Sequence, residues 1–229
     1  MRLRPNEFPR IAELRQGIIL ATIAHAIWIA ADAELAYELG WDGPNYLRQD
    51  GQGTRGTITL TEAGIVAAFR DDDSPRTPWR PGVEHSLDQL LNGMPENLRP
   101  VAEQHTLQYL MDEWEGLVRP VITAAFWSTG DHLTAAEPWQ DVVTHGAHLI
   151  GTELMGAEDA IIAWQEGLEL SSAQVRLLRS LYSRKLDSPD TPISLESWEY
   201  DILVSAGSKG LHESRDLLAV IGIDVPDKA

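Results

Sequence analysis

The chain has 229 residues, with 35 acidic against 18 basic side chains and no cysteine. That length buries the core of one large domain or two small ones, and the missing cysteine excludes disulfides, thiolate zinc sites and cysteine nucleophiles while suiting a reducing cytoplasm. A formal net charge of −17 repels phosphate backbones, so direct nucleic-acid binding is not expected.

The first predicted element is a helix over residues 11–39, with Thr22, His25 and Asp32 on one narrow polar stripe. A helix so nearly apolar all round belongs in a protein interior, and His25 reads as a core histidine. Its apolar run, GIILATIAHAIWIAA at 17–31, invites two other readings. A membrane span needs ~20 uninterrupted apolar residues, and His25 interrupts a run that is already shorter. A secretory leader fits Arg2, Arg4 and Arg10 ahead of the run and Ala31-Asp32-Ala33 as a cleavage site. Glu7 and Glu13 argue against it. A buried helix, a cytoplasmic location and no membrane partner are therefore expected.

Residues 48–55, RQDGQGTR, form a polar glycine-rich turn. In TITLT, threonines alternate with Ile58 and Leu60, Glu62-Ala63-Gly64 makes a short loop, and residues 65–69 return as a more apolar strand. This is a β-hairpin near 56–70. A lone hairpin is marginal in water, so it must pack on a helix or pair with further strands, for instance around Tyr46. The proline-rich loop DDDSPRTPWRPG follows. Arg70, Arg76 and Arg80 flank its three aspartates, which reads as a solvated loop with local ion pairs.

Beyond residue 83 the apolar spacing is helical. Helices are predicted over 84–93 and 100–127. In the second, Leu107, Leu110, Met111, Trp114, Leu117, Val118, Val121 and Ile122 keep a three- and four-residue spacing through Pro120, where a kink is expected. Thr134 and Glu137 fit a capping box that opens another helix, with Pro138 in its first turn. Further helices are predicted near 157–168, 172–186, 195–206 and 211–221. The expected fold is α+β and predominantly α-helical, an N-terminal buried helix and a small β-hairpin packed on a multi-helix bundle. Residues 1–83 would hold the helix and hairpin and 84–229 the helical region, together one compact domain.

Charge is uneven along this chain. Residues 1–80 carry 9 basic and 11 acidic side chains, and 171–229 carry 7 and 9, but 81–170 set only Arg99 and Arg119 against 15 acids. Glu84, Glu137, Glu158 and Asp159 lie near predicted helix starts, where carboxylates favour the macrodipole. That accounts for acids without accounting for the missing bases. On a 100–127 helix, Asp112 and Glu115 face outward. The partner-binding residues expected are Asp112, Glu115 and Asp141, with Trp79, between Arg76 and Arg80, as the exposed aromatic.

The strongest chemical candidate is DVVTHGAH, which places Asp141, His145 and His148 at i, i+4 and i+7. These are zinc-ligand types on one helical stripe, but no HExxH accompanies them. No catalytic residue, metal or cofactor is assigned. The function expected is that of a non-enzymatic acidic binding protein that neutralises or regulates a basic protein partner, such as the immunity or inhibitor protein of a nuclease-like toxin. One alternative is a small helical metal-dependent hydrolase using Asp141, His145 and His148. Another is a scaffold that self-associates into homo-oligomers through exposed tryptophans.

Overall fold

The structure is a computed structural model that describes residues 8–80, 82–83 and 86–226. Arg2, Arg4, Glu7 and Glu84, which entered the readings above, lie outside the described residues. The chain divides into two compact units, residues 13–40 with 152–226 and residues 8–12 with 41–151.

Expectation and structure part most sharply over the fold class. The chain is mixed, 42% helical and 21% strand, and its second unit is built on a five-stranded antiparallel sheet rather than on a helix bundle. The strands are β1 (Leu39–Asp42), β2 (Asn45–Gln49), β3 (Thr54–Thr61), β4 (Gly64–Asp71) and β7 (Ala124–Ser128), in the order β1-β2-β3-β4-β7. The hairpin read from 56–70 is its centre, and Tyr46 does pair with it, opposite Ile58. β4 lies between β3 and β7 and is buried along seven of its eight residues. One face of the sheet turns Val66, Ala68, Ala125 and Trp127 into a core closed by Leu98, Ala102, Leu107 and Leu110. On the other face Phe69, Phe126 and Trp139 stack in sequence, with ring centroids 5.7 Å apart at each step. Burial on both faces removes the alternation by which a strand is recognised, and AAFWS reads equally well as helix.

The helix predicted over 100–127 is instead α3 (Arg99–Gln104), a 3-10 turn (Thr106–Leu110), the strands β5 (Met111–Trp114) and β6 (Leu117–Pro120), and then β7. β5 and β6 make a two-stranded ribbon joined by Glu115 and Gly116, with φ values of 54° and 75°. Positive φ at both central residues is the tight hairpin turn that matches strand twist, and glycine at the second position makes it accessible. Val118, Val121 and Ile122 are β-branched, and Pro120 sits at the end of an edge strand, where its missing N–H costs nothing. Four-residue strands are too short to express a period of two, so the sequence mimicked a helix.

Smaller corrections follow the same logic. Among the described residues of 84–93, only α2 (Leu87–Leu90) is helical. Thr134 bridges to Trp127 in place of capping a helix, and α4 (Trp139–Thr144) begins after Pro138, which leaves Glu137 free for another partner.

The other unit contains most of α1 (Ile11–Ile29), α5 (Ala157–Gly167), α6 (Ser172–Asp187), α7 (Ser197–Leu203), α8 (Leu211–Val220) and a short parallel pair, β8 (Ile193–Ser194) with β9 (Ile223–Asp224). α1 is as buried as its composition requires, with residues 20–27 all inaccessible, but it ends ten residues before Leu39. Asp32 accepts a hydrogen bond from the Glu34 amide, an aspartate turn that competes with helix. Among the described residues no helix is long and apolar enough to cross a membrane.

Candidate functional site

The site grows from the end of β4, where the acidic run begins. Arg70 shares a face of β4 with Val66 and Ala68, so its stem lies at the end of that core's face while its guanidinium reaches the carboxylates at the rim. Its side chain is only 8% exposed, and it divides its donors between two carboxylates, Nε to Asp72 at 2.6 Å and Nη1 to Asp112 of β5 at 2.5 Å. Arg55 stands directly opposite Arg70 across the β3–β4 pair. Two like charges in that register repel. Asp72 compensates, with its second oxygen 4.0 Å from Arg55. The Asp112 carboxyl is held below the usual carboxylate range, first by its hydrogen bond from Arg70.

Trp79 closes the cluster. Its ring lies 4.6 Å from the Arg70 guanidinium carbon while 44% of the residue stays exposed. The indole is thus braced from behind by a cation that is itself fixed by two carboxylates.

The loop between them is not a loosely solvated tract. Asp71 accepts the Asp73 amide, Thr77 donates to the Ser74 carbonyl, and Arg80 donates to the Asp73 carbonyl at 2.7 Å. Ser74 is buried, with Oγ 3.0 Å from His145 Nδ1. Thr123 ties β4 to α4's end by donating to the His145 carbonyl at 2.5 Å and accepting the Asp71 amide. Burial, then the charge of Arg76, hold the His145 imidazole below its ordinary value of 6.5, against the opposing pull of Glu137, Asp141 and Asp71. Arg76 Nη1 donates to Glu137 at 2.7 Å and to the Thr123 carbonyl. A cavity of about 290 Å³ opens beside this ion pair.

Of the four residues expected to bind a partner, Arg70 brings Trp79 and Asp112 together. Glu115 lies at the turn of the ribbon that carries Asp112, paired to Arg119 at 2.8 Å. Arg119 in turn stacks 3.7 Å over Trp114. Asp141 stands apart on α4. Gly146, with φ of 150°, breaks the helix directly after His145, so Asp141, His145 and His148 do not share the stripe drawn for them. His148 turns back to the Val143 carbonyl. Among the described residues no group of three or more His, Asp or Glu side chains is placed to hold a metal ion.

Sequence reasoning missed Arg70 as the organiser, and it assigned Leu117 and Val118 to a core when they are 62% and 69% exposed. Glu115-Gly116 followed by adjacent apolar residues was the available signal. No family model, curated protein or solved structure matches the chain.

Proposed function

We propose that this chain is an acidic, non-enzymatic protein that binds and neutralises or regulates a basic protein partner in the cytoplasm, as an immunity or inhibitor protein of a nuclease-like toxin does. The observation that carries this reading is Trp79, a large aromatic left exposed yet fixed in place by Arg70, Asp72 and Asp112. An aromatic anchor ordered before binding loses little side-chain entropy on association. Leu117 and Val118, exposed on the ribbon that carries Asp112, add apolar area to the same unit.

The geometry changes which carboxylates supply the attraction. Asp112 and Glu115 are each held by a guanidinium, which cancels much of their field. Asp73, Glu113 and Asp141 have carboxylates with no ion pair among the described residues, and they take over the steering role.

Capture from an extract of the source cells tests the reading, with wild-type chain and Trp79→Ala chain immobilised in parallel. The expected result is one protein of basic isoelectric point, retained by the wild type and at least tenfold less by the variant. Equal retention on both chains, or a neutral or acidic captured protein, would remove the support for it.

A further inference from the structure

The ribbon β5–β6 is continued by no third strand among the described residues, and two strands alone are marginal in water. Its hydrogen-bond phase shows which edge is open. The Leu110 carbonyl accepts the Val121 amide at 2.9 Å. With Met111 opposite Pro120, Asp112 opposite Arg119, Glu113 opposite Val118 and Trp114 opposite Leu117, the bonded pairs are therefore 110–121, 112–119 and 114–117. Glu113, Val118 and Pro120 turn their backbone polar groups outward. On the β5 side the Glu113 amide is already held by Asp112 Oδ1 at 2.7 Å. On the β6 side Val118 presents both N–H and C=O, in a residue that is 69% exposed.

From this we infer that β6 is a self-pairing edge, taken by β6 of a second copy of this chain in an antiparallel register centred on Val118. Each Val118 then exchanges both backbone groups with its counterpart across a two-fold axis, and the two side chains meet on that axis. A shift toward Pro120 would set Val118 against a residue with no N–H, so the proline selects the register. The charges agree with it. Glu115 precedes Leu117-Val118 and Arg119 follows, so the strand is acidic at one end and basic at the other, a pair that meets within one chain at 2.8 Å. Antiparallel copies lay the acidic end of each beside the basic end of the other, the self-complementarity that a two-fold contact requires. Leu117 lies with Trp114 on the opposite face of the ribbon from Val118, and it stays available to a different partner.

The edge is four residues long, which falls well short of the ~1,200 Å² of a stable interface, and each copy carries a formal charge of −17. The dimer is therefore weak and transient, and it strengthens with salt, because screening relieves the net repulsion. That dependence is opposite to the one expected for a basic partner, so this inference stands or falls independently of that reading.

Sedimentation equilibrium of the purified chain tests it, from about 5 to about 500 µM protein. A reversible monomer–dimer equilibrium should appear, about threefold or more tighter at about 0.5 M salt than at about 0.05 M. Val118→Pro removes only an outward N–H, since that amide makes no bond within the ribbon. It should weaken dimerisation about tenfold or more with an unchanged circular dichroism spectrum. Val118→Thr keeps the N–H and the branched shape and should dimerise within about threefold of the wild type. Because the chain has no cysteine, Val118→Cys adds a positional probe that does not depend on the proline variant folding. Bonded strand partners lie about 5.5 Å apart at Cα, inside the range a disulfide spans, so mild oxidation should give a covalent dimer. Ile162→Cys, also exposed but on α5, should not. A chain monomeric throughout the range, a folded Val118→Pro chain that dimerises like the wild type, or equal crosslinking at the two positions would each overturn the inference.

Discussion

At the scale of single residues, Arg70 is where the account is most exposed to test. Its guanidinium satisfies Asp72 and Asp112 and supports the ring of Trp79. Arg70→Ala should destabilise the chain by about 1–2 kcal/mol, a value discounted because both carboxylates are partly exposed. Urea unfolding followed by circular dichroism measures it. An unchanged midpoint would mean that the cluster is ornamental. His145 gives a prediction of opposite character, since its proton is less favoured in the folded chain than in the unfolded one. Below pH 6.5 the unfolded state takes up the proton first, so stability contributed by the neutral imidazole is full above that value. It declines as pH falls toward the lowered folded value. The difference between wild-type and His145→Gln stability should vary across that window and level off on either side, and a flat difference would contradict the assignment. Sequence alone located Trp79, Asp112, Glu115 and Asp141 as charged or aromatic surface candidates. It missed how they are held, because the Arg70–Asp112 pair spans 42 positions and nothing local announces such a pairing.

At the scale of elements, the buried N-terminal helix makes the sharpest prediction, although it ends ten residues before the expected boundary. α1 was legible because a run apolar on every side has only a buried solution, and its close packing follows from Gly17. A methyl group added there would lie 1.8 Å from the Glu153 carbonyl oxygen, which is backbone and has nowhere to move. Gly17→Ala should therefore cost about 3 kcal/mol or more by overpacking, read as a lowered thermal midpoint. A change below ~0.5 kcal/mol, ordinary for an uncrowded surface site, would show that α1 does not pack there. The later helices α5, α6, α7 and α8 were equally legible, since each is amphipathic or capped. α6 opens with a full capping box of Ser171 and Gln174. The ribbon β5–β6 and strand β7 were not legible, and the cause is physical. Leu107, Leu110, Met111, Trp114, Leu117 and Val118 satisfy helical spacing, but the positive φ at Glu115 and Gly116 turns the chain back on itself. Pairing of β7 with β4 then rewards a strand conformation that no local preference specified.

At the scale of the whole molecule, charge is the dominant quantity. The fold distributes it differently from the sequence. The sheet-bearing unit has 10 basic and 17 acidic side chains and the helical unit 8 and 18, so the acidic stretch 81–170 is shared between units and does not form one block. Ion pairs reduce it further within the sheet unit, where Arg70, Arg76 and Arg119 hold Asp112, Glu137 and Glu115. On the proposed reading, steering then depends on carboxylates outside those ion pairs, Asp73, Glu113 and Asp141 among them. The measurement that tests this most directly is the association rate with the captured basic protein at about 0.1 M and about 1 M salt, where the screening length falls from ~10 Å to ~3 Å. Wild-type association should slow about tenfold or more across that range while dissociation changes much less, and reversing Asp73, Glu113 and Asp141 together to lysine should slow low-salt association and weaken the dependence. An association rate indifferent to salt, or a triple reversal that binds as fast as the wild type, would contradict the claim that this is an acidic protein built to meet a basic one.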